Sequence, residues 1–293
     1  MRPLHVLLAV VIAAVWGFNF VIIKVGVSEV PPFLLTGLRF LLCAVPAVFF
    51  LERPKVSWAY ICGFGLMLSI GQFVFLFLAV YLGMSASLAS LVLQLQVFFT
   101  MFFAVFALKE VPKLVQILGA GLAFGGIGLI AVERWSGPDA IPLILCVIAA
   151  AGWGASNIIV KLADPGTAIN FVVWASLTAP LPLFAMSWGF DDHAKVAAVF
   201  TQPTIIGTIA ILYLAYLSTL FGYSAFNYLL KRYPAGTVAP FTLLVPLFGI
   251  ASGIIVLGEA FDRFEIAGAV MVISGLMIAN FGMSIFRLKR AEP

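Results

Sequence analysis

The chain has 293 residues, of which 63% are hydrophobic and only 10% charged, with a mean hydropathy of +1.17. Soluble domains carry about a quarter charged residues, so this balance excludes a water-soluble globular domain and places the chain in a lipid bilayer. The net charge of +4, from 16 basic and 12 acidic residues, is better explained by its placement along the chain than by an acidic partner, and no nucleic acid is expected.

A run of about 20 apolar residues crosses the hydrocarbon core as a helix. Ten such runs follow one another, at roughly 4–27, 32–51, 58–82, 86–108, 114–132, 140–160, 169–188, 204–230, 236–257 and 265–286. Stretches such as GFGLMLSIGQFVFLFLAV lack the alternation of a barrel strand, so the expected fold is an all-α polytopic membrane protein. The longest connection, GFDDHAKVAAVFTQP at 189–203, is too short for a further domain.

The first run contains WGFNFVIIK, Trp16 to Lys24, and the sixth contains WGASNIIVK, Trp153 to Lys161, 137 residues later. This recurrence assigns the first run to the mature fold rather than to a cleaved signal. The second run carries Arg39 within GLRF, the most deeply embedded charge, and Pro46. In the third, Cys62, Gly65, Ser69 and Gln72 share a face at 100° per residue. The fourth divides: Ser87, Ser90 and Gln94 lie together, Gln96 and Thr100 point nearly the opposite way, and only one set can face the centre. The fifth opens a second echo, because LKEVPKLVQILGAGLAFGGIGL from Leu108 aligns with LGEAFDRFEIAGAVMVISGLMI from Leu257, placing Glu110 on Glu259 at an offset of 149. Its glycines at 119–126 suit close helix packing, within the chain or across a homodimer, so a monomer and a homodimer are both open. Pro180 and Pro182 interrupt the seventh run, and Pro240 and Pro246 the ninth. In the eighth, Tyr216, Thr219, Tyr223 and Asn227 fall within about 80° of one another, with Tyr213 beside them.

The two echoes divide the chain into five-run halves, 1–136 and 137–293. Because five is odd, the second half must enter the membrane upside down: an inverted repeat of ten helices, built for alternating access around a midplane site. Counting basic residues, Arg2, Arg53, Lys55, Lys109, Lys113, Lys161, Lys231, Arg232, Arg287, Lys289 and Arg290 fall on one side, and Lys24, Arg134, Lys195 and Arg263 on the other. Eleven against four puts both termini in the cytoplasm.

The candidate substrate-binding residues are Trp16, Asn19, Gln72, Gln94, Trp153, Asn157, Tyr216, Tyr223 and Asn227. Large amide and phenol groups orient a small polar ligand without charge and cover its apolar part, whereas single serines and threonines more often bond helix to helix. Trp16 and Trp153 suit either cavity lining or core packing. Lys24, Arg39, Lys161, Pro240 and Pro246 are assigned gating or structural roles. The lysines suit snorkelling helix ends, and Arg39 suits either a substrate carboxylate or a backbone contact. Catalysis is not expected: His5 and His193 lie at a terminus and in a loop, and no His, Asp or Glu cluster offers a metal site. Cys43, Cys62 and Cys146 lack paired spacing and suit small core positions. No cofactor is expected.

The WG…N…K openings, the E…GA…G closing helix of each half and the ten-run inverted repeat resemble the drug/metabolite transporter superfamily, in particular its EamA family of small-metabolite exporters. VWGFNFVIIKVGV, PPFLLTGLRF, ERPKV, GMSASLASLVLQLQVFFT and LLVPLFGIASGIIVLGE are most similar to the branch that exports O-acetylserine and cysteine. Aromatic amino-acid exporters share the architecture with less local similarity. The resemblance implies a secondary transporter of the bacterial inner membrane that exports amino acids and related metabolites. Export of drugs or other organic metabolites, or a channel, are the alternatives. It also implies a central cavity lined by the first, third, fourth, sixth, eighth and ninth helices, with the fifth and tenth peripheral. One departure is visible: where the family often has proline 13 residues before the closing glutamate, the second half has Pro246 but the first has Val97.

Overall fold

The computed structural model describes the backbone of residues 1–134, 140–233 and 235–288, without the side chains at 133, 134, 168, 227, 235, 236, 239, 240 and 281–288. Hydrocarbon offers no partner to a backbone N–H or C=O, so each must be satisfied within its own helix, and every regular element among the described residues is helical. The elements are α1 Pro3–Glu29, α2 Pro32–Val48, α3 Trp58–Tyr81, α4 Ala86–Leu108, α5 Leu114–Arg134, α6 Ala140–Ala163, α7 Ala168–Ser176, α8 Pro180–Phe190, α9 His193–Thr201, α10 Ile205–Leu230, α11 at 235–257 and α12 Arg263–Leu288. Seven are long and apolar enough to cross a membrane alone. An eighth crossing results if α7 and α8, bent by 42° at their junction, count as one. Pro180 begins α8 at that bend, where its missing N–H ends one helix and suits the first turn of the next. The apolar helices α2 and 241–257 are shorter.

Antiparallel packing gives the bundle two ends. At the terminal end, His5 Nδ1 meets the Tyr233 hydroxyl at 2.7 Å and Lys161 pairs with Glu110. At the far end, the Asp191 carboxylate accepts the Leu34 N–H of α2 at 3.0 Å. Glu259 accepts the Ala86 and Ser87 N–H groups at 2.7 and 2.9 Å. Both carboxylates cap first-turn donors that a helix cannot satisfy itself.

Departures from the α-helix come in pairs. α3 contains a π-helical segment at Met67–Val74, and α10 another at Tyr213–Phe221. α4 tightens to a 3-10 turn at Leu93–Leu95, and α11 at Ala239–Leu243. α4 ends on Lys109 with φ 54° and α11 on Gly258 with φ 67°, the left-handed stop that commonly closes a helix. The next residue, Glu110 or Glu259, then donates its N–H back to Ala104 O at 3.3 Å or Gly253 O at 3.2 Å. Both members of this stop are displaced by 149 residues, since 258 − 109 and 253 − 104 agree.

Glycine marks the closest crossings. A Cβ on Gly17 of α1 would lie 2.7 Å from Val245 O and 2.8 Å from Gly249 N of α11, and one on Gly154 of α6 would lie 2.8 Å from Thr100 N of α4. Phe248 flanks the first crossing and Phe99 the second. The glycine after each repeated tryptophan therefore brings its helix backbone-to-backbone with a partner, offset by 137 on one side (154 − 17) and 149 on the other (248 − 99). α5 and α12 meet in the same way, with Gly119 against Gly275 and Gly126 against Gly268. These glycines of the small-residue run thus serve packing within the chain, while Gly121 and Gly128 face open space.

Candidate functional site

Between these crossings lies a cavity of about 350 Å³ bordered by residues of α1, α2, α3, α4, α6, α10, α11 and α12. Of the residues singled out in the sequence, Trp16, Asn19, Gln72, Gln94, Trp153, Asn157 and Tyr223 line it, joined by Arg39. Trp16 is held from behind: its Nε1 donates to Ser218 O at 3.0 Å, and its ring packs at 5.5 Å from Tyr223 and 5.4 Å from Phe226. With Phe20, Phe73 and Trp153 these rings form the apolar part of the wall.

The polar part is mostly amides. Asn157 donates to Gln96 Oε1 at 2.9 Å and to Thr100 Oγ1 at 3.0 Å, which fixes α6 to α4. Asn19, Gln72 and Arg39 are 7%, 2% and 2% exposed. Each has a buried polar atom without a hydrogen-bond partner: Asn19 Oδ1, Gln72 Oε1 and Arg39 Nη1. The rest of the Arg39 guanidinium is occupied, because Nε and Nη2 reach Thr219 Oγ1 at 3.3 and 3.1 Å and Cζ lies 3.9 Å over the Phe73 ring. Ser69 Oγ is also unpartnered but does not border the cavity.

Three expectations are corrected, two that rest on constant helical geometry and one that rests on the family resemblance. Gln96 lines the cavity together with Gln94, although an α-helix would point them apart. The 3-10 turn at Leu93–Leu95 advances about 120° per residue rather than 100°, narrowing their separation so that a cavity wrapping α4 meets both. Tyr216 lies outside, on an apolar outer surface with Ile209, Leu212 and Phe221. The π-helical segment spans it, and i→i+5 bonding fits more residues into each turn, so the stripe read at 100° drifts between Tyr216 and Tyr223. Tyr213 likewise bonds Val15 O at 2.8 Å instead of facing the cavity. Third, α12 is not wholly peripheral, since Asn280 reaches the lining. A lone asparagine near the end of an apolar run gave no stripe by which to find it. Gln96 was visible in sequence but was assigned to the wrong face.

The remaining candidates lie at the ends. Lys24 Nζ donates to Val80 O and Met84 O, both at 3.2 Å, and so ties α1 to the turn between α3 and α4. Lys161 pairs with Glu110, both about half exposed. Pro246 is buried within α11. The side chains of Asn227 and Pro240 lie outside the described residues. Cys43 and Cys146 are buried and unpaired, and Cys62 is half-buried. No cluster of three His, Cys, Asp or Glu gathers among the described residues.

The cavity is asymmetric along the bundle. At the far end α4 and α11 close on each other, Ser87 against Gly253 and Ser90 against Gly249. Their terminal halves make no comparable contact among the described residues. An aromatic and amide-lined chamber, closed at one end and bounded by paired crossings, is the form of a solute site in a carrier. A model of the EamA-like transporter family matches twice, at residues 3–132 and 140–281. The chain belongs to the EamA-like transporter family. It is 41% identical to a probable amino-acid metabolite efflux pump of Salmonella typhimurium, over 97% of each chain. The protein of that name in Escherichia coli is 38% identical over 94% of each. An uncharacterized transporter of Bacillus subtilis, YoaV, is 26% identical over 93% of this chain and 95% of its own. One crystal structure, 18% identical, superposes with a TM-score of 0.62 over 95% of this EamA chain and 98% of that one, a likeness of fold.

Proposed function

We propose that this EamA transporter exports amino acids and related small metabolites across the bacterial inner membrane by alternating access, with the central cavity as its substrate site. The observation that carries the reading is the paired crossing, Gly17 on Phe248 and Gly154 on Phe99, together with the matching π, 3-10 and left-handed features. They support two inverted five-helix halves, 1–136 and 137–293, with α2 and 241–257 as short crossings that complete ten. A carrier built this way exchanges its open and closed ends by exchanging the conformations of its halves. With both termini cytoplasmic, the orientation that the eleven-to-four basic bias supports, the present form is shut toward the periplasm, the state that loads an exporter. Lys24 and Glu259 belong to the shut gate, and Lys161 and Glu110 to the open one. The amino-acid class follows the names of the two relatives and suits a cavity bordered by amides and one arginine.

Purified protein in liposomes preloaded with each unlabelled amino acid of a panel tests this. Transient accumulation of the matching labelled amino acid by counterflow is expected for at least one. Flux without counterflow would identify a channel, and no flux for any amino acid would overturn the substrate class.

A further inference from the structure

Arg39 is a buried cation with no ion-pair partner among the described residues. Its contacts are a hydroxyl and a ring face, neither of which neutralises a charge. A guanidinium in the membrane interior without a counter-charge is costly, and such residues face a cavity or a ligand. Arg39 borders the cavity, and one of its nitrogens, Nη1, is unused. Asn19 and Gln72 border the same space, and each carries a buried acceptor without a donor, Oδ1 and Oε1. No acidic side chain among the described residues lines it.

These three atoms form a set of opposite polarities: one charged donor and two neutral acceptors, each on a side chain more than nine-tenths buried. We propose that they read the two charged groups of a zwitterionic α-amino acid, the carboxylate taken by Arg39 Nη1 and the ammonium by the carbonyl oxygens of Asn19 and Gln72. A carboxylate supplies the counter-charge that the guanidinium lacks, and charge-assisted bonds are the strong ones. The ammonium brings donors but meets no competing anion, so the net charge of ligand and pocket together remains that of Arg39 alone. Organic cations are disfavoured by the same residue, since they would add a second positive charge beside it. The ligand side chain is left to the aromatic wall of Trp16, Trp153 and Tyr223. Thr219 acts as a positioning residue: its hydroxyl donates to Leu214 O at 2.8 Å and accepts from Nε and Nη2 of Arg39, which leaves Nη1 as the nitrogen for a ligand.

This assignment rests on the reading of the cavity as an amino-acid site, and a binding measurement separates the two. Quenching of tryptophan fluorescence in detergent reports occupancy of a cavity walled by Trp16 and Trp153 whether or not transport follows. The ligands are the panel amino acid of highest affinity, its carboxamide and its N-acetyl derivative. Wild type should bind the amino acid at least ~10-fold more tightly than either derivative, the scale of one charge-assisted hydrogen bond. Arg39→Gln should erase the preference over the carboxamide, with Arg39→Lys restoring part of it. Asn19→Ala and Gln72→Ala should erase the preference over the N-acetyl form. Equal wild-type affinity for the amino acid and its carboxamide would overturn the proposal even if counterflow succeeds, as would competition by chloride alone, which would make Arg39 an inorganic anion site. Binding with the expected preferences but without counterflow would overturn the transport reading and leave this one standing. A melting curve for each variant separates lost recognition from lost fold.

Discussion

Glu259 Oε2 accepts the backbone N–H of Ser87 at 2.9 Å, so the last residues after one helix fasten the first turn of another 172 positions away in sequence. Beside it, Oε1 holds the Ala86 N–H at 2.7 Å. A carboxylate on a helix N-terminus contributes about 0.3–2 kcal/mol, and here it bridges the two helices that close the far end. Glu259→Gln should therefore loosen that end. In a protein with Cys62 replaced by serine and Ala86→Cys introduced, Glu259→Gln should speed labelling by a membrane-impermeant thiol reagent about 5-fold, a change of about 1 kcal/mol. An unchanged rate would show that glycine packing alone shuts this end.

Glycine substitutions should sort by what faces them. Gly17→Ala and Gly154→Ala press a methyl group into backbone atoms of α11 and α4, and overpacking of this kind costs about 1–3 kcal/mol. Gly121→Ala meets nothing within 4 Å and gains helix propensity of about 1 kcal/mol. Thermal melting in detergent should fall for the first two and hold or rise for the third. Equal losses at all three would remove the crossing argument.

Gln96 and Asn157 should behave as one unit. Their bond at 2.9 Å joins α4 to α6, so Gln96→Ala and Asn157→Ala should each lower the melting midpoint, and the double variant should fall by less than their sum. Contacting residues of this kind couple by about 0.5–3 kcal/mol in a double-mutant cycle. Additive losses would show that the bond contributes nothing beyond what each residue does separately.

Asp191 connects stability to pH. It stands outside the spans at the end of α8, and burial pushes its carboxyl above the usual carboxylate range, only partly offset by bonds from Ser187 and the α2 backbone. With the folded value raised, the folded state binds more protons than the unfolded one between the two values. Stability from this group is present below the unfolded value and is lost as pH rises through the raised one. Asp191→Asn should remove that downward slope on the acid side of a melting-midpoint profile, and a variant as pH-dependent as wild type would reject the assignment.

Among the described residues, the cavity lining includes no Asp, Glu or His. Substrate flux in liposomes should accordingly persist without a pH gradient and leave lumenal pH unchanged apart from leak. A fixed ratio of protons to substrate would mean that a peripheral group enters the path in another state, and Lys24 and Lys161 would be the first to test.

Composition and repetition carried most of this structure. Apolar runs located every described span, and the recurring WG and closing-glutamate segments, read in the sequence only as a repeat, coincide in the structure with both crossings and both helix stops. Seven of the nine proposed binding residues border one cavity. The misplacements share a cause. Gln96 and Tyr216 were assigned by a constant rotation per residue, and both lie within or directly after a segment where the hydrogen-bond ladder changes step. Nothing local announces such a change: α4 tightens at Leu93–Leu95 without a proline, whereas Pro240 stands in the corresponding segment of α11. Arg39 could be seen in the sequence, but its missing counter-charge only emerges once the distant segments that border the cavity have been brought together.

The π-helical segment of α10 sets a rule about length rather than about letters. Thr219 and Tyr223, only four positions apart, are oriented by how many residues the chain fits between Tyr213 and Phe221, so deleting one there would turn everything after it by about 100°. The hydroxyl that steadies Arg39 and the ring behind Trp16 would then no longer serve the same chamber, even with each residue retained. Exchanges of one apolar residue for another on the outer face of this stretch leave the count intact. Single-residue gaps within it, therefore, distinguish relatives that keep this chamber from relatives that keep only the bundle.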